Sequence, residues 1–189
     1  MNKCHCVLLC LLALAVSPLA GLAGGRVTVE AESAETIEAP MVVIRETAVP
    51  EGSKYVPGAA NAAYLEIPQG KGNPPENPQG RAVLTVDAPT DGDYTLWCRV
   101  WWEDECGNSF TVRINDSPPF LFGENATYKT WHWMRYPVAR TAKPITLKAG
   151  TNTLTVLNRE DGVRLDQIVL SADRRFVPVD QETVGVKTK

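Results

Sequence analysis

Residues 92–102 read Gly-Asp-Tyr-Thr-Leu-Trp-Cys-Arg-Val-Trp-Trp. Tyr94, Leu96, Cys98, Val100 and Trp102 fall on one parity; Thr95, Trp97, Arg99 and Trp101 fall on the other. A period of two sustained over this length marks a long strand with one face turned to a core. The next segment repeats the pattern, with Phe110, Val112 and Ile114 inward and Thr111, Arg113 and Asn115 outward. Upstream, Ala82, Leu84 and Val86 alternate with Val83 and Thr85, and Val27, Val29 and Ala31 alternate with Thr28, Glu30 and Glu32. Further strands are expected at 41–46, 63–67, 132–138, 144–147, 152–157 and 163–170.

Turn formers separate these runs: Pro89-Thr90-Asp91-Gly92, Cys106-Gly107-Asn108, Ala149-Gly150-Thr151-Asn152 and Asp161-Gly162. Pro74, Pro75 and Pro78 keep 70–80 out of any central strand. No stretch beyond residue 24 keeps helical periodicity for three turns. About nine short antiparallel strands with such turns predict an all-β, two-sheet jelly-roll sandwich. The chain has 189 residues, 44% hydrophobic and 22% charged, which suits one domain. Its net charge of -3 leaves no electrostatic footprint for nucleic acid or anionic lipid.

The N-terminus reads as an export signal over 1–23. Lys3 precedes an apolar run from Val7 to Val16, then Ser17 and Pro18, and Gly21 and Ala23 satisfy the small-x-small rule for cleavage after Ala23. The run is too short for a stable membrane anchor. The expected destination is secreted or periplasmic. The domain is expected over 24–176, followed by a polar tail, 177–189, that frays. Cys98 and Cys106 remain after cleavage. A disulfide is allowed in an oxidising compartment, but one residue sits mid-strand and the other near the next turn, so a buried Cys98 and a loop Cys106 are expected.

Four segments, in order, carry a resemblance: Val29-Glu30-Ala31-Glu32, Gly92 to Val100, Ile145-Thr146-Leu147-Lys148-Ala149-Gly150-Thr151-Asn152-Thr153-Leu154, and Gly162-Val163-Arg164-Leu165-Asp166-Gln167-Ile168. Together they resemble carbohydrate-binding modules of families six and thirty-five, which have a galactose-binding-like β-sandwich fold. The resemblance spans about residues 27–173. It implies a structural calcium ion held by Glu30, Glu32 and Asp166. Glu30 and Glu32 share a strand face about 6.6 Å apart. Asp166 interrupts an apolar alternation, since Val163 and Leu165 share one parity and Ile168 and Leu170 the other, which suggests a bulge. Calcium accepts such irregular oxygen sets. On the residues alone the pattern better fits a solvated strand face, with Asp166 capping a turn; it is the resemblance that favours calcium.

All five Trp lie between 97 and 133. Trp97 and Trp101 share the outward face with Arg99, where they suit either sugar stacking or a cation–π ladder. Trp102 has core parity. The resemblance implies a sugar site in loops at one end of the sandwich, built from Trp131, Trp133 and the loop Asn158-Arg159-Glu160-Asp161, with Tyr55 as a second ring. That loop is more charged than the family pattern and suits a uronic or amino sugar, or no sugar.

Enzyme chemistry finds little support. His132, the one histidine after cleavage, sits between two Trp. Neither Gly-x-Ser-x-Gly nor His-Glu-x-x-His occurs, and Cys98, Cys106 and His132 lack zinc-ligand spacing. Glu103-Asp104-Glu105 and Glu160-Asp161 are adjacent loop acids, whereas a glycoside hydrolase needs two carboxyls flanking a cleft. The expected function is a non-catalytic, calcium-containing module that binds a polysaccharide or oligosaccharide. The alternatives are an interaction or structural module of the same fold with an envelope protein partner, and a small glycan hydrolase or lyase.

Overall fold

The computed structural model describes residues 25–72, 79–139 and 144–184; the expected signal peptide and Pro74, Pro75 and Pro78 lie outside them. The strands are β1 (Arg26–Glu30), β2 (Thr36–Ile37), β3 (Val42–Arg45), β4 (Ala63–Ile67), β5 (Arg81–Ala88), β6 (Gly92–Trp101), β7 (Ser109–Ile114), β8 (Phe120–Gly123), β9 (His132–Tyr136), β10 (Ile145–Leu147), β11 (Gly150–Leu157) and β12 (Val163–Ser171). They form two antiparallel sheets. The larger runs β10-β6-β12-β4-β3, with β9 also on β6 and β1 also on β12; the smaller runs β2-β5-β11-β7-β8. This is the expected all-β sandwich.

The alternation read from the sequence becomes the core. Leu96, Cys98 and Val100 of β6 face Leu84 and Val86 of β5, Val112 of β7 and Leu154 and Val156 of β11 within one buried cluster. Trp102 ends the inward row with no exposed surface. Its ring meets Phe110 edge-on at 6.0 Å, and its indole N–H points to the Met134 sulfur at 3.3 Å. Burying such rings is the largest single apolar contribution a side chain can make. Cys98 is buried and Cys106 exposed, both as free thiols.

The structure departs from the sequence reading in three places. The first strand stops at Glu30, because Ala31–Ser33 coils into a 3-10 turn fastened by Ser33 Oγ donating to the Glu30 carbonyl at 2.7 Å. Two short strands, β2 and β8, were not legible. The segment beyond β12, expected as a free tail, is hydrogen-bonded to the rest of the protein over its described part. It lies across the outer face of the larger sheet as a strap, and its Pro178 is buried. Arg26 stacks over the Phe176 ring at 4.6 Å and pairs with Glu182 at 3.6 Å. Among the described residues no helix is long and apolar enough to cross a membrane.

Candidate functional site

The register between β12 and β6 slips between Leu165 and Gln167, so Asp166 is the unpaired residue of a β-bulge. The parity switch in the sequence is realised here as an extra residue rather than a turn cap, and that residue turns a carboxylate off the ladder. Asp166 is fully buried. Glu30 stands at the end of β1 beside it, paired with Gln167. Glu32 reaches the same place from the 3-10 turn, not from a shared strand face. One carboxylate oxygen from each of Glu30, Glu32 and Asp166 lies within 4.8 Å of the others.

Among the described residues Arg99 forms the direct ion pair with these acids, and Arg45 acts on Glu32 from farther off. Arg99 Nη1 donates to Asp166 Oδ2 and, at 3.0 Å, to the Gly58 carbonyl. Asp166 Oδ1 accepts the Ala60 N–H at 2.9 Å, and Glu30 Oε1 accepts the Gln167 side-chain amide at 3.0 Å. The Oε2 atoms of Glu30 and Glu32 are buried with no hydrogen-bond partner among the described residues. Burial pushes the Glu32 carboxyl up to about 7, helped by the Glu30 and Asp166 charges. Burial also raises Asp166 to about 6, against the pull of Arg99, and raises Glu30. Orphaned, partly desolvated carboxylate oxygens in one place are the donor set a hard cation requires. The trio fits a metal ion.

The aromatic residues form a second cluster on the outer face of the same sheet. Trp131 meets Tyr64 at 5.4 Å and Trp101 at 5.8 Å, both edge-on, and the Arg99 guanidinium lies 5.4 Å from its ring centre. Tyr55 stacks on Tyr64 at 6.1 Å. Trp131 donates to the Pro57 carbonyl at 3.0 Å, and Trp133 donates to the Asp180 carbonyl of the strap at 2.9 Å. Tyr55, Trp131 and Trp133 are each half-buried. Trp97 has the outward parity expected of it, yet it is only 8% exposed, with the Arg135 guanidinium 5.7 Å from its ring centre. Arg99 therefore joins the two clusters, paired with an acid ligand candidate through Nη1 and lying over the Trp131 ring.

Asn158, Arg159 and Glu160 lie in the loop between β11 and β12. Asn158 is buried, and its amide braces the neighbouring loop by donating to the Lys71 and Gln79 carbonyls at 2.8 and 2.9 Å. Arg159 pairs with Glu160 and, at 3.7 Å, with Glu124. Glu160 accepts the Asn108 N–H at 3.1 Å and the Ser109 hydroxyl. Asp161 accepts the Gly70 N–H and the Gln69 amide. A Cβ on Gly107 would collide with the Asp161 carbonyl, so the glycine lets the loops after β6 and β11 touch backbone to backbone. Among the described residues, the polar and ring contacts of Arg159 and Glu160 run to this loop set, and those of Tyr55 and Trp131 to the aromatic cluster. One link between them is His132, whose Nε2 lies 3.1 Å from the Asn125 amide, while Asn108 donates to the Asn125 carbonyl. His132 Nδ1 lies 3.0 Å from the Thr130 carbonyl, and burial lowers its basicity, which suits a packed neutral imidazole.

The sequence reading passed over Gln167, Arg99 as the partner of Asp166, and Tyr128, an exposed ring in the loop before β9. A polar Gln directly after the bulge residue was the one available signal for the first of these.

No family model matches the chain, and no curated protein sequence matches it. Among solved structures, a family 35 carbohydrate-binding module from Clostridium thermocellum superposes with a TM-score of 0.52 at 18% identity, covering 76% of this chain and 97% of that one. The GH26-CBM35 β-(1,4)-mannanase of Podospora anserina gives 0.55 at 19% identity, covering 77% of this chain and 27% of that one. The isomalto-dextranase of Arthrobacter globiformis gives 0.55 at 20% identity, covering 77% and 23%. The chain thus spans about a quarter of the two enzymes and nearly all of the isolated module. It has the two-sheet sandwich fold of a family 35 carbohydrate-binding module, with a buried acidic trio able to hold a metal ion.

Proposed function

We propose that this chain is an exported, non-catalytic carbohydrate-binding module, secreted or periplasmic, whose sandwich is pinned by calcium at Glu30, Glu32 and Asp166. The observation that carries this reading is the pair of orphaned Oε2 atoms beside the Asp166 bulge, on a fold shared with family 35 modules. When bound, the ion supplies the positive charge that lets three buried carboxylates stay ionised side by side.

The ligand is a polysaccharide or oligosaccharide. Trp131, with Tyr55 and Trp133, offers apolar ring surface for the C–H face of a pyranose. Arg159 and Glu160, on the loop that Asn158 braces, offer charged hydrogen-bonding groups to sugar hydroxyls. Few contacts of this kind give weak single-site affinity, which suits a module that holds a polymer through repeated engagement. Affinity gel electrophoresis over a panel of neutral, uronic and amino polysaccharides tests the reading. Retention of the wild-type chain on at least one polymer, lost in Trp131→Ala, is the expected result; identical mobility of both proteins on every polymer refutes sugar binding at this ring.

A second reading keeps the fold without the sugar. Trp97 is buried and Trp133 is engaged by the strap, as in a module that joins an envelope assembly through protein contacts. Failure of all glycans together with co-purification of a defined envelope protein selects it.

A further inference from the structure

We infer that the strap over residues 178–184 is a clasp whose docking is coupled to cation binding at the acidic trio. The inference rests on the cation reading above. It comes from two hydrogen-bonded bridges, each passing through one group between trio and strap.

The first bridge is Gln167. Its amide nitrogen donates to Glu30 Oε1 at 3.0 Å and to the Glu182 carbonyl at 2.7 Å, while its oxygen accepts the Glu182 N–H at 2.9 Å. Gln167 is 1% exposed, so both of its polar ends are committed inside the protein. The second bridge is the Gly58 carbonyl. It accepts Arg99 Nη1, the same nitrogen that donates to Asp166, and it accepts the Gln181 amide at 3.1 Å. The strap thus reads the position of Glu30 through one group and of Asp166 through the other. Between these bridges a cavity of about 370 Å³ is lined by Glu30, Asn61 and Gln167 from the sandwich and by Gln181, Glu182 and Thr183 from the strap.

The coupling follows from where each group's alternatives lie. Without a cation, three like charges repel, and Glu30 gains by swinging toward water, which removes the acceptor that fixes the Gln167 amide. A Gln167 free to rotate no longer presents a donor and an acceptor together to the Glu182 backbone. A cation on the trio fixes Glu30 and so orients Gln167 for the strap. Linkage makes the effect reciprocal: whatever loosens the strap lowers cation affinity by the same factor.

The experiment uses the full chain, calcium or chelator, and two readouts. Amide hydrogen exchange of 179–184 should slow on adding calcium, with the Glu182 N–H protected by about fivefold or more, the low end of ordinary site coupling. Calorimetric titration of Glu182→Pro is read against Glu182→Gln, since both lose the carboxylate paired with Arg26 and only Glu182→Pro loses that N–H; calcium affinity should fall by a similar factor in Glu182→Pro relative to Glu182→Gln. Calcium that binds the wild type but leaves Glu182 exchange unchanged, or binds Glu182→Pro as tightly as Glu182→Gln, overturns the clasp while the cation site stands. No calcium binding to the wild type overturns both.

Discussion

Raising the pH of the metal-free protein should weaken it, and calcium should reverse that trend. The Glu32 carboxyl ordinarily releases its proton at 4.5 and holds it to about 7 in the fold, and Asp166 moves from 3.8 to about 6. Between about pH 4 and 7 the folded chain therefore binds more protons than the unfolded one. Stability is greatest at the acid end of that window and falls as pH rises through it. One pKa step corresponds to about 1.4 kcal/mol, so the shift of fully buried Asp166 alone costs on the order of 3 kcal/mol by pH 8, and half-buried Glu32, discounted for solvent screening, adds a smaller amount. For a domain of this size that is a fall in Tm of about 6–12 °C. Calcium at a hundred times its Kd returns about 2.7 kcal/mol, but only where the carboxylates ionise, so its effect fades toward pH 4.5. Scanning fluorimetry from pH 4.5 to 8, with chelator and with calcium, reads both trends, and Glu32→Gln should flatten the chelator curve. A chelator Tm that is level or rises across the window, equal in wild type and Glu32→Gln, would falsify the reasoning. So would a calcium shift of equal size at pH 4.5 and 8.

Asp166→Ala should abolish calcium binding and cost about 3–5 kcal/mol in urea unfolding, because Arg99 is left buried without its partner; a loss under 1 kcal/mol would mean the pair contributes little. In native protein from which the expected signal peptide, with Cys4, Cys6 and Cys10, has been removed, one thiol, Cys106, should react with a disulfide reagent, while Cys98, whose thiol burial pushes up, reacts only after denaturation. Absence of any free thiol before reduction would show a disulfide instead. Gly107→Ala should lower Tm by several degrees and disturb the loop of Arg159 and Glu160, since the added methyl meets the Asp161 carbonyl; an unchanged Tm and unchanged exchange at 158–162 would show that the two loops part without cost.

Much of this architecture is written in local chemistry. The alternation of Tyr94, Leu96, Cys98 and Val100 needs no partner to be seen, because a strand's two faces are a property of backbone pleat alone. The parity change around Asp166 is equally local, and so the bulge was legible before its surroundings were. Glu30, Glu32 and Asp166 were named from motif resemblance, and the fold brings them within ligand distance of one another. How Glu32 arrives there was not legible: a 3-10 turn of three residues leaves almost no periodic trace.

What escaped the linear reading depends on groups far apart in the chain. Whether Trp131 is a free platform or a packed ring is decided by Tyr64, Trp101 and Arg99, and whether Asn158 is a sugar contact or a brace is decided by the carbonyls of Lys71 and Gln79. The strap is the plainest case. Residues 178–184 carry no strand pattern and little hydrophobicity, so composition points to fraying. Their order comes instead from hydrogen bonds to Gln167, Gly58 and Trp133, acceptors and donors that exist only once the larger sheet has formed. Periodicity records which face of a strand meets a core; it carries no record of which distant polar groups a buried carboxylate or a polar segment will find there.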